Sequence, residues 1–118
     1  DMYISIHLNA DTSSSWSGAQ VFYDEKISEN EKIAKIIQEQ FKSDLKTNRT
    51  YKKITDRYMY KRVNVKGVLI EAGFITNPNE RYLLKQDNYQ EKIANSICKA
   101  IIKYLELSPL DCVTTTSS

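Results

Sequence analysis

The chain has 118 residues, 41% of them hydrophobic and 27% charged, the balance of an ordinary globular protein rather than a disordered one. That length fits one domain, and no apolar run approaches the ~20 residues that a membrane-spanning helix needs. A net charge of +2 names no partner, and a single histidine excludes any site in which this chain alone holds a metal through two imidazoles.

Met2, Ile4, Ile6 and Leu8 alternate with Tyr3, Ser5, His7 and Asn9, the period of two that marks a strand with two different faces. This pattern starts at the second residue without the polar lead-in usual at a domain boundary, so the N-terminal part of the domain is expected to be missing. No basic stretch followed by an apolar one marks a signal peptide. Residues 9–18 read as a loop, with Trp16 near its end, and Gly18-Ala19-Gln20-Val21-Phe22-Tyr23 as a second, shorter strand. Ser28-Glu29-Asn30-Glu31 has the form of a capping box. Behind it Ile33, Ile36, Ile37, Phe41 and Leu45 fall at helical spacing and predict a helix over 29–46. Residues 47–50 end it, and 51–65 are mixed.

Gly67-Val68-Leu69-Ile70-Glu71-Ala72-Gly73 is a short apolar run between glycines, suited to a central strand covered on both faces. Asn77-Pro78 opens a helix, since proline is favoured at the first helical position. After a break near Gln86, a last helix carries Ile93, Ile97, Ile101 and Leu105 in one stripe, widened by Ala94, Cys98 and Ile102. Cys98 in that pattern and Cys112 in the polar tail read as two free thiols. Strands alternating with long amphipathic helices predict an α/β domain, a layered sheet with helices on both faces. Residues 1–106 form its body, and 107–118 are expected to be a disordered tail.

Three features carry candidate chemistry. His7 shares a strand face with Ser5 and Asn9 and lies at the carboxyl end of its strand, where α/β sheets bind ligands. The plain alternative is a histidine that only bonds a neighbour. Glu71 is a carboxylate in an apolar run, expensive to bury unless paired, ligated or poised for proton transfer. A salt bridge to a residue such as Arg62 would explain it structurally, and Gly73 fits a tight turn or a close approach to a ligand. The stretch 42–66 sets Lys42, Lys46, Arg49, Lys52, Lys53, Arg57, Lys61, Arg62 and Lys66 against only Asp44 and Asp56, with Tyr51, Tyr58 and Tyr60 between. It reads as a solvated face, a nucleic-acid surface or a groove for another anionic polymer.

Ser5-Ile6-His7-Leu8-Asn9-Ala10 and Val68-Leu69-Ile70-Glu71-Ala72-Gly73-Phe74-Ile75-Thr76-Asn77 resemble the two C-terminal motifs of the zinc-dependent N-acetylmuramoyl-L-alanine amidases. These are bacterial cell-wall and spore-cortex enzymes of the type-3 catalytic domain, and the likeness is greatest to the spore-cortex branch. It covers residues 1–105, and the second strand, the helix after Ser28, Asn48-Arg49 and the closing helix follow in the family's order. The resemblance implies His7 as the last zinc ligand and Glu71 as the catalytic glutamate. It also implies Zn2+ as cofactor, peptidoglycan as substrate, an accessory or activating protein as a possible partner, and action outside the cytoplasm, in the wall or cortex. The family's other histidine and glutamate ligands lie in a segment that precedes this strand, and no glycine-histidine-glycine motif occurs here. Lys66-Gly67 also stands where a proline is often found.

The leading expectation is therefore a zinc amidase that cleaves between N-acetylmuramic acid and the L-alanine of the stem peptide, with this chain alone inactive. The alternative is a non-catalytic module, derived from an amidase, that binds peptidoglycan or a partner. A nucleic-acid-binding domain would explain the basic stretch but leave Glu71 without a reason, so no nucleic-acid partner is expected.

Overall fold

The structure is a computed structural model and describes residues 1–55 and 64–105. In chain order it contains β1 (Tyr3–Asn9), β2 (Gln20–Tyr23), α1 (Ser28–Leu45), β3 (Lys52–Lys53), β4 (Gly67–Phe74), α2 (Pro78–Leu84) and α3 (Asp87–Leu105). The four strands form one mixed sheet in the order β1-β4-β2-β3, with β1 parallel and β2 antiparallel to β4. The α/β class follows from this, and the apolar run at 67–73 is the interior strand its composition demands.

The alternation of β4 sorts its side chains. Val68, Ile70 and Ala72 join Val21 in a core with Ile33, Ala34, Ile37 and Phe41 of α1 and Ile93, Ile97 and Ala100 of α3. Leu69 and Glu71 point to the opposite face. Helices α1 and α3 pack on each other over the first face, and α2 sits at the carboxyl end of β4.

Two buried amides on α1 tie the layers together. Gln38 accepts from the Val21 backbone N–H at 2.8 Å and donates to the Ala19 carbonyl at 3.1 Å. Asn30 donates to the Asp24 carbonyl at 2.9 Å and accepts from the Gly67 N–H at 2.7 Å. Each satisfies strand-end groups that would otherwise be buried without partners.

Three local expectations are corrected. Ile27, not Ser28, occupies the N-cap of α1 with no side-chain cap, which puts Glu31 one position out of phase for a capping box. Its carboxylate instead accepts from the Tyr23 hydroxyl at 2.8 Å. Gly73 makes its close approach to α2 rather than to a ligand site, since a Cβ there would lie 3.1–3.3 Å from Glu80 and Leu84 atoms. Cys98 is not a free thiol but disulfide-bonded, its half-buried place at the margin of the α3 stripe leaving the sulfur within reach of a partner. Asn77 does cap α2, its side chain accepting from the N–H groups of Asn79 and Glu80, with Pro78 at the first turn. The tail at 107–118, Cys112, and the centre of the basic stretch with Arg62 lie outside the described residues.

Candidate active site at the carboxyl ends of β1 and β4

Parallel pairing sets His7 directly abreast of Glu71, with Gln20 of β2 opposite Glu71 on the other side. Both sequence-derived site residues therefore meet on one face of the sheet, in adjacent strands. The His7 ring nitrogen Nε2 and the Ser5 hydroxyl, two residues back on the same face, hydrogen-bond at 2.8 Å. His7 is exposed and its other ring nitrogen faces no described partner.

Glu71 is half-buried. Its Oε2 is fully buried and has no hydrogen-bond partner among the described residues, and no described cation pairs with it within 4.0 Å. Burial pushes its carboxyl above the ordinary glutamate range, an effect that the charges of His7 and then Arg49 partly oppose. A carboxyl so placed is not held as an anion by any described ion pair and can accept or release a proton.

Just past this pair the register breaks. His7 faces Glu71, but Asn9 faces Phe74, so β4 carries one extra residue. The irregularity brings Phe74 beside Trp16 of the preceding loop, ring centroids 6.3 Å apart. The Arg49 guanidinium lies over both rings, at 4.8 Å from Trp16 and 5.0 Å from Phe74. Its Nε donates to the Ser17 carbonyl at 2.9 Å. Gly18, at φ +104, permits this contact, since a Cβ there would meet Arg49 Cγ at 3.1 Å and Thr47 Oγ1 at 2.7 Å. Glu80 locks the loop to the strand end, accepting from the N–H groups of Gly18 at 2.9 Å and Phe74 at 2.8 Å.

Asn48-Arg49 and Phe74 fall within the family resemblance, but composition and periodicity did not join Arg49, Trp16 and Phe74 into one site. By charge Arg49 was one of nine cations in the basic stretch, and the return of 47–50 beneath the loop is what brings it to the site. Of the other described cations of that stretch, Lys46 lines a cavity that Arg49 also lines. Lys53 pairs with Glu25 at 3.3 Å, and Lys66 lies over the Tyr104 ring.

One imidazole and one carboxylate are too few for a zinc site, which takes three protein ligands with an open position. Among the described residues no group of three or more histidine, cysteine, aspartate or glutamate side chains is placed to hold a metal ion. The described donors supply part of such a site at most. Nor is any described helix long and apolar enough to cross a membrane.

The family model described as N-acetylmuramoyl-L-alanine amidase matches residues 1–103. The germination-specific N-acetylmuramoyl-L-alanine amidase of Bacillus subtilis is 50% identical over 105 residues, which are 88% of this chain and 44% of that protein. The amidase LytC of the same organism is 33% identical over 106 residues, 88% of this chain and 21% of LytC. Among solved structures, the CwlD amidase of Clostridioides difficile in complex with the GerS lipoprotein superposes with a TM-score of 0.81 at 43% identity, covering 89% of this chain and 54% of CwlD. The chain thus spans about half the length, or less, of the relatives it matches.

Proposed function

The chain belongs to the N-acetylmuramoyl-L-alanine amidase family, and from that membership we propose that it is part of a peptidoglycan amidase of the germination type. The reaction is hydrolysis of the amide between N-acetylmuramic acid and the L-alanine of the stem peptide, carried out in the cell wall or spore cortex. The finer assignment rests on identity, 50% to the germination-specific relative against 33% to LytC.

The observation that carries this reading is Glu71, half-buried, abreast of His7, with an orphaned carboxylate oxygen. Its raised proton affinity brings a carboxyl closer to the working pH, which favours proton transfer in both directions. As carboxylate, Glu71 takes a proton from the attacking water; as carboxylic acid, it returns that proton to the departing nitrogen of L-alanine. His7 supplies one zinc ligand, with the remaining ligands coming from the rest of the family domain. Bound zinc would lower the pKa of its water and polarise the amide carbonyl. An accessory protein is part of the proposal, supported by the lipoprotein complex of the CwlD relative.

In the intact domain, Glu71→Gln is expected to lower turnover of purified sacculi by about 100-fold or more while zinc content stays unchanged. His7→Ala is expected to lose the zinc as measured by elemental analysis. Full turnover by Glu71→Gln, or full zinc in His7→Ala, would refute the respective role. The alternative of a binding-only module is favoured if sacculi are retained by the intact domain but never cleaved.

A further inference from the structure

Arginines on a protein surface ordinarily sample many rotamers, and Arg49 is held in one. Its Nε is committed to the Ser17 carbonyl, its planar face rests on Trp16 and Phe74, and its Cγ packs against the space that Gly18 leaves open. Of the five N–H donors of a guanidinium, the four on its two terminal nitrogens have no partner among the described residues. Such a fixed, half-committed fork matches the two oxygens of a carboxylate. The surroundings favour an anion. Arg49 lines a cavity of about 680 Å³ with Trp16, Lys46, Asn77 and Tyr89. Glu80 lies there too, but both of its oxygens are occupied by backbone N–H groups.

We propose that Arg49 is a specificity-determining residue that takes a carboxylate on the peptide side of the scissile amide. The inference rests on the amidase reading for the identity of the substrate, and on the Arg49 geometry for its chemistry. Arg49 lies over Phe74, three residues along β4 from Glu71, so a carboxylate docked on the guanidinium lies within a short peptide's reach of the reacting amide. Docking fixes the peptide's register along the site. Arg49 touches substrate without taking part in the proton transfers.

The test is a calorimetric titration of the chain with a muramoyl tripeptide bearing free carboxylates and with the same compound after amidation of those groups. The single tryptophan, Trp16, lies against Arg49 and gives an independent fluorescence readout. Wild-type protein is expected to bind the free acid about tenfold tighter or better. Arg49→Gln should erase that preference by weakening the free acid alone, and Arg49→Lys should keep part of it, retaining the charge without the fork. Equal binding of both ligands by the wild type overturns the proposal. So does an equal weakening of both in Arg49→Gln or Arg49→Lys, which would mark a merely structural role. Turnover in the intact domain separates the two readings: a preserved carboxylate preference with no cleavage refutes the amidase and leaves the carboxylate site standing.

Discussion

β4 and β1 lie side by side and each contributes one of the two site residues, but their surroundings differ. Apart from Glu71, every residue of β4 is buried, because β1 and β2 flank it and α1 and α3 cover its Val68–Ile70–Ala72 side. β1 is the edge strand among the described elements, and on the same side of the sheet Ile6 and Leu8 are each 56% exposed. Glu71 therefore has its protonation set by packing within this chain, whereas His7 stands on an open strand with only Ser5 to orient it. A carboxyl can be tuned by burial alone, but an imidazole becomes a metal site only when other ligands converge on it.

Substitutions on the two sides should differ in size. Phe41→Ala, in the core beneath β4, is expected to cost about 3–5 kcal/mol in urea unfolding, because the ring is fully buried and α1 cannot collapse onto the gap. A loss below about 1 kcal/mol would mean that this half is no better packed than the β1 edge.

Glu71→Gln should have a smaller and opposite effect on stability. The native carboxyl binds its proton more tightly than the unfolded one, so its ionisation is resisted by the fold. Its stabilising share is complete below the unfolded pKa of about 4.3 and is lost as pH rises through the higher folded value. The glutamine variant should thus melt slightly higher than the parent at pH 7, with the gain shrinking towards pH 4. A half-exposed group is screened by water, so the shift is small. A gain that grew on acidification would show that burial does not dominate at Glu71.

The smallest effect is expected for Ile6→Thr with Leu8→Thr, which should stay within about 0.5 kcal/mol because these side chains are largely in solvent already. A loss above about 1 kcal/mol that disappears on dilution would show that the β1 face is covered by a second copy in solution. Sedimentation at two concentrations with parallel melting curves distinguishes the cases.

Much of the architecture was legible in residue pattern. The period of two at Tyr3–Asn9, the helical spacing of Ile33, Ile37 and Phe41, and the Asn77-Pro78 start each express a geometry that repeats within a few residues. The phase of α1 was not legible, because Ser28 and Glu31 match a capping pattern whereas the helix has its N-cap one residue earlier, at Ile27, with no side-chain cap. Nor were the roles of Asn30 and Gln38, whose partners lie on other elements.

The same division runs through the site. Sequence alone marked His7 and Glu71 as the residues to watch, because a histidine at the carboxyl end of a strand stands where α/β sheets bind ligands and a carboxylate in an apolar run is costly to bury. Tertiary structure decided that they are neighbours, since parallel register is a property of two strands 64 residues apart in chain position, as His7 and Glu71 are. It also decided which of many cations matters. Arg49 is selected by one backbone carbonyl, two aromatic rings and a missing Cβ, contacts brought from two segments remote from it in the chain and therefore written in no local pattern.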